Sequence, residues 1–148
     1  MKVKILPSKT SGEVSAPPSK SFAHRYLIGS VLSRGKCVIR NIADSDDISA
    51  TLSCIEQLGG SVTKDGNTVT VIPTNEKQIE NAVFDCKESG STLRFFIPVV
   101  LATGAKNCTF SGSERLLARG IKEYEKLFEN SDVIIKSDEK AIEVNGTL

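Results

Sequence analysis

Within 148 residues one order of elements is written twice, and this recurrence limits the possible folds more than any other feature. The chain opens on "KVKIL", which alternates like a short strand, followed by the turn-forming "PSKTSGE". From Ser21, "SFAHRYLIGSVLS" spaces Phe22, Leu27, Ile28, Val31 and Leu32 as a helix does. "KCVIRNI" follows as a strand. "SDDISATLSCIEQLGG" is then an amphipathic helix, with Ser45 as its cap and acids in its first turn. Its residues Ile48, Leu52, Ile55 and Leu58 share one face, and Gly59-Gly60 ends it. "SVTKDGNTVTVIP" is a hairpin around Asp65-Gly66. The second round repeats the order: "GSTLRFFIPVVLATG" is helical with a kink expected at Pro98, "NCTFSG" is strand-like, "RGIKEYEKLFEN" is an amphipathic helix, and "SDVIIKSDEKAIEVNG" is a second hairpin.

The offset supports a duplication. Arg25 precedes Gly35 by 10 residues as Arg94 precedes Gly104, and both Arg25 to Arg94 and Leu58 to Leu127 span 69. Two units are expected, at about residues 14–80 and about 81–148, each led by a strand. The fold class is α/β (α+β), with helices on one side of small sheets, so that neighbouring units bury their helices against one another. The second hairpin is followed only by "VNGTL". The chain is therefore either part of a larger protein, with apolar surface meant for a further unit, or a complete two-unit domain.

Composition narrows the function. A net charge of +1 lacks the basic excess of a general nucleic-acid or membrane binder, so an anion site must be a local gathering of a few cations. No apolar run is long enough for a membrane span, and no signal-peptide core stands at the start. Cys37, Cys54, Cys86 and Cys108 fit no zinc or redox spacing, and with one histidine besides, no metal or cofactor is expected. Buried free thiols and a cytoplasmic location are the expectation.

Three places carry candidate chemistry. "PPSKSFAHR" and "KESGSTLR" each bring small hydroxylated residues into a helix start followed by an arginine. Such a start offers free N–H groups and partial positive charge to a phosphate or carboxylate. Lys20 and Arg25 add full charges at the first, Gly90 and Arg94 stand at the second, and Ser21 lies between Lys20 and Arg25. A Ser/Lys turn alone usually only caps a helix; two in equivalent positions favour a binding role. In "SGSERLLARGIKEY", Arg115 is read as part of a salt-bridged surface helix and Arg119 as the better placed to reach a ligand. Asp44, Asp46 and Asp47 most simply cap their helix, the other reading being that one of them holds Lys20 or Arg25. His24 is read as structural filler. The ligand indicated is small and multiply anionic.

"PPSKSFAHR", "ADSDDI", "ESGSTLR" and "SERLLARGI", in this order and spacing, resemble the N-terminal part of the EPSP synthase family across essentially the whole chain. The resemblance implies the enolpyruvyl transferase fold, with three βαβαββ units in each of two domains, and hence a partial N-terminal domain over 1–148. It implies that "KVKIL" packs with the far domain. It further implies transfer of the enolpyruvyl group of phosphoenolpyruvate to the 5-hydroxyl of shikimate 3-phosphate. Lys20 would act in catalysis and touch both substrates, Ser21 and Arg25 would bind shikimate 3-phosphate, and Gly90 and Arg119 would hold phosphoenolpyruvate.

Two positions depart from the family pattern. Glu88-Ser89-Gly90-Ser91 stands where many relatives have Asn-Ala-Gly-Thr, and a carboxylate at 88 facing the site would repel an anion, so Glu88 is left outside it. Gly120 stands where many relatives have proline, which loosens a helix expected to start there and with it the placement of Arg119. The sister family, UDP-N-acetylglucosamine enolpyruvyl transferase, fits less well, since "SGSERLLA" lacks its reactive cysteine. A non-catalytic small-anion binding module is the other alternative. Alone, the chain is expected to be inactive and to need the remaining C-terminal part of the enzyme as partner.

Overall fold

Serines write the helix starts of this chain. Four of its helices begin after a serine whose hydroxyl accepts the N–H three residues on: Ser19 from Phe22, Ser45 from Ile48, Ser89 from Thr92 and Ser113 from Leu116. The computed structural model describes residues 2–74, 79–104 and 106–148. The capped helices are α1 (Lys20–Val31), α2 (Asp46–Gln57), α3 (Gly90–Thr103) and α4 (Glu114–Ala118), and α5 (Lys122–Phe128) starts without a side-chain cap. The strands are β1 (Cys37–Ile39), β2 (Ser61–Asp65), β3 (Thr68–Ile72), β4 (Val83–Asp85), β5 (Cys108–Ser111), β6 (Ile134–Ser137) and β7 (Ile142–Asn145).

They form two small sheets. The first has the order β1-β3-β2, all antiparallel, and the second β4-β5-β7-β6, with β4 parallel to β5 and the rest antiparallel. Gly66, at φ 54, opens the two-residue turn between Asp65 and Thr68, one residue later than the hairpin signal suggested. Helices α1, α2 and α3 pack on one another, with α1 and α2 also against the first sheet and α3 against β7. The core between them holds Leu27, Ile55, Leu93, Phe96, Val71 and Val144. At its centre Phe84 stacks on Phe110 at 5.0 Å and tilts against Phe96 at 6.0 Å. This is the α/β class expected, with helices facing small mixed sheets.

Several local expectations are corrected. "KVKIL" forms no strand: Val3, Ile5 and Leu6 are exposed at 71, 88 and 66%, because alternation makes a strand only where a neighbouring edge supplies hydrogen bonds. The first half accordingly lacks the leading strand that the second half has in β4. Helix α1 begins at Lys20 rather than Ser21, since Ser19 takes the cap. Leu58 is buried while Leu127 is exposed, so that pair of the 69-residue offset does not share an environment. The four cysteines are free, with Cys54, Cys86 and Cys108 buried and Cys37 half-buried. Among the described residues no helix is long and apolar enough to cross a membrane, and no acidic, histidine or cysteine cluster suited to a metal is present.

Candidate functional site

Pro17 and Pro18 bring the chain to the Ser19 cap, and Lys20 is then the first residue of α1. Its ammonium lies 2.5 Å from the Asp47 carboxylate, which comes from the first turn of α2. One acid of the "DSDD" run therefore does hold Lys20, the reading given less weight above. Asp44 instead pairs with Lys64, and the cap is Ser45. A partly exposed pair of this kind contributes little stability, about 0–1 kcal/mol, so its effect is to orient the lysine. Five residues on, Arg25 donates back to the Ser21 carbonyl at 2.8 Å and lays its guanidinium 5.5 Å from the centre of the Phe95 ring. That contact ties α1 to α3.

At the second helix start, Gly90 is the first residue of α3. A Cβ at this position would lie 3.0 Å from Arg94 Nη1 and 3.6 Å from Arg119 Nη1. Two guanidinium groups thus converge on a bare α-carbon, where a Cβ would press on Arg94 and touch Arg119. Arg119 follows the last turn of α4, and Gly120, at φ 64, ends that helix by donating to the Leu117 carbonyl at 2.9 Å. The expectation that Arg119 stands at a helix start is corrected: it is the C-terminal end of a short helix. Proline, held near φ −65°, does not reach this left-handed conformation, so glycine here fixes the bend after Arg119 rather than loosening it.

Arg94 is anchored through its backbone. Pro98 lies inside α3 and has no N–H to give the Arg94 carbonyl four residues back. The Tyr124 hydroxyl of α5 donates to that carbonyl at 2.8 Å instead. Burial raises the Tyr124 phenol above its ordinary value, more than the nearby Arg94 charge lowers it, so it stays a donor.

An open cavity of about 460 Å³ is lined by Asp47, Glu88, Gly90, Ser91, Arg94, Phe95 and Arg119. Its two carboxylates are engaged, Asp47 by Lys20 and Glu88 by Arg115 at 3.4 Å. Among the described residues Arg25, Arg94 and Arg119 have no carboxylate partner, so the two arginines of the cavity wall, Arg94 and Arg119, are free of ion pairs. The structure brings Gly90 and Arg119 together at the cavity and attaches Lys20 and Arg25 to its edge, through Asp47 and Phe95. Ser21 is exposed and does not line it. Glu88, expected outside, lines the cavity, and Arg115 pairs with it. Phe95 was missed in the sequence, where an aromatic in an apolar helix carries no sign of a cation above it.

Comparison with known proteins gives the family of the chain. The protein-family model described as EPSP synthase (3-phosphoshikimate 1-carboxyvinyltransferase) matches residues 6–147. A 3-phosphoshikimate 1-carboxyvinyltransferase of Clostridium novyi is 38% identical over 99% of this chain and 36% of its own length. One from Clostridium botulinum is 42% identical over 88% of this chain and 31% of its own. The chain therefore spans about a third of the length of these curated relatives. An EPSP synthase structure from Acinetobacter baumannii superposes with a TM-score of 0.73 at 17% identity, covering 91% of this chain and 32% of that one, a likeness of fold.

Proposed function

This chain belongs to the EPSP synthase family, and on that premise we propose that it carries part of the site at which phosphoenolpyruvate gives its enolpyruvyl group to the 5-hydroxyl of shikimate 3-phosphate, with release of phosphate. The observation that carries the reading is the convergence of Arg94 and Arg119 on Gly90. Each substrate bears a phosphate and a carboxylate, and such groups are held by guanidinium forks and helix N–H groups. In this reading Arg119 and the Gly90 backbone hold phosphoenolpyruvate. Ser21 and Arg25 take shikimate 3-phosphate, and Lys20 reaches both and acts in catalysis. Asp47 keeps the Lys20 ammonium at the junction until a substrate anion takes its place.

Residues about 14–80 and about 81–148 are proposed as two repeat units. The boundary falls at about 80/81, shortly after residues 75–78, which lie outside the described residues. The proposed setting is a reducing cytoplasm, in keeping with four free thiols.

The chain by itself is proposed to bind without turning over. Both carboxylates at the cavity are paired with cations, and the single histidine is buried, so among the described residues no proton-transfer pair stands ready for addition and elimination. The test is an NMR titration of the chain with shikimate 3-phosphate and then phosphoenolpyruvate. Saturable shifts at Ser21, Arg25 and Gly90, without product, are expected. A well-dispersed spectrum that neither ligand moves would refute the reading.

A further inference from the structure

A line of buried polar groups crosses from α1 through α2 to α3. His24 Nδ1 lies 2.9 Å from Thr51 Oγ1, which lies 2.7 Å from Thr92 Oγ1, which lies 2.7 Å from Ser89 Oγ. All four residues are buried. The Asp47 carbonyl oxygen lies beside this line, 3.1 Å from Thr51 Oγ1 and 3.4 Å from Thr92 Oγ1, while the carboxylate of the same residue holds Lys20.

Counting protons gives the line a direction. Each hydroxyl has one proton to donate, and a neutral imidazole has one. His24 Nε2 is buried and has no partner among the described residues. A buried N–H without an acceptor is rarer in folded proteins than a buried lone pair without a donor, so the ring proton sits on Nδ1. His24 then donates to Thr51, Thr51 to Thr92 and Thr92 to Ser89. Burial lowers the His24 pKa, which agrees with a neutral ring.

We propose that Thr92, with Thr51 behind it, is a positioning residue for the anion site: the hydroxyl line fixes the start of α3 relative to the Lys20–Asp47 pair. Thr92 acts on the Ser89 cap from two sides, through its N–H at 3.2 Å and its hydroxyl at 2.7 Å. Ser89 directly precedes Gly90, so the line ends one residue from the point where the arginines converge. Neither threonine lines the cavity. Removing the Thr51 hydroxyl leaves the buried His24 N–H without its acceptor, and removing that of Thr92 takes away one of the two bonds that hold Ser89, so the helix start relaxes away from the geometry a ligand needs.

The proposal rests on the binding reading above, and the experiment separates the two. The ¹⁵N-labelled full chain is titrated with phosphoenolpyruvate as wild type, Thr92→Val, Thr92→Ser and Thr51→Val, and a two-bond ¹H–¹⁵N spectrum reads the His24 ring. Each valine variant is expected to bind about tenfold more weakly, with the serine variant within about twofold of wild type, since only the hydroxyl is at issue. The ring is expected to carry its proton on Nδ1. Valine variants that bind like wild type, or a ring protonated on Nε2, overturn the proposal and leave the binding reading intact. A wild type that does not bind overturns the binding reading, and the positioning role with it. Should Thr92→Val fail to fold, Thr51→Val and the ring spectrum decide the matter.

Discussion

At the scale of the residue, His24 makes the folded chain sensitive to mild acid. Burial pushes its pKa below the ordinary 6.5, and the Lys20 and Arg25 charges add to this, outweighing the Asp47 carboxylate that opposes them. The unfolded chain therefore takes up a proton at a pH where the folded chain does not. Stability is fully present above about 6.5 and is lost as pH falls from there towards the lowered value. Urea unfolding between pH 7.5 and 5.5 is expected to show this decline, and His24→Asn to flatten it. A wild-type profile flat across that range would contradict the account. Asp85 is held low by Lys87, and Asp138 by backbone N–H groups, so both titrate in a separate window below about pH 4. Much of the site was legible at this scale because its signals are local. A serine three residues ahead of a helical N–H is a cap, and a lysine or glycine beside it stands at a helix start. Asp47 on Lys20, at a separation of 27 residues, and Arg25 on Phe95 depend on how helices pack. The His24–Thr51–Thr92–Ser89 line spans three helices, and nothing in the spacing of its members announces it.

At the scale of the element, α3 carries a proline without being cut short, because α5 supplies the donor that Pro98 cannot. Tyr124→Phe is expected to destabilise the chain by about 1 kcal/mol, the cost of a part-buried carbonyl left without its partner. In a Pro98→Ala background the carbonyl regains a helical N–H, so the same substitution should cost clearly less. Chemical denaturation of the four proteins in this cycle measures the coupling, and additive losses would contradict it. Sheets were less legible than helices. Both hairpins carry their own turn chemistry and appear where expected, at β2–β3 and β6–β7. "KCVIRNI" shortens to Cys37–Ile39, and "KVKIL" finds no edge to pair with. Strand length is set by the partner, which a single segment does not reveal. Likewise α4 reads in the sequence as the run-up to α5, and becomes a separate helix through the left-handed Gly120 between them.

At the scale of the whole molecule, several faces carry large apolar side chains in solvent. Phe22 and Tyr26 stack on each other at 6.3 Å along the outer side of α1, at 62 and 61% exposure. Val38 and Ile72 are exposed on the first sheet, and Val3, Ile5 and Leu6 before α1. Such surface in a chain spanning about a third of its relatives' length suits contact with further units of the same fold. The chain alone is expected to associate with rising concentration in sedimentation, with Phe22→Ser/Tyr26→Ser reducing it; a clean monomer at high concentration would contradict this. The central claim, though, is that both halves serve one anionic ligand, with Lys20 at the start of α1 from the first and Arg119, which follows α4 and reaches the start of α3, from the second. The most direct measurement is phosphoenolpyruvate affinity by calorimetry for the wild type, Lys20→Ala and Arg119→Ala. Loss of one charge-assisted contact in each is expected to weaken binding by about tenfold or more. If either variant binds as tightly as the wild type, its cation lies outside the site, and the joined site described here is wrong.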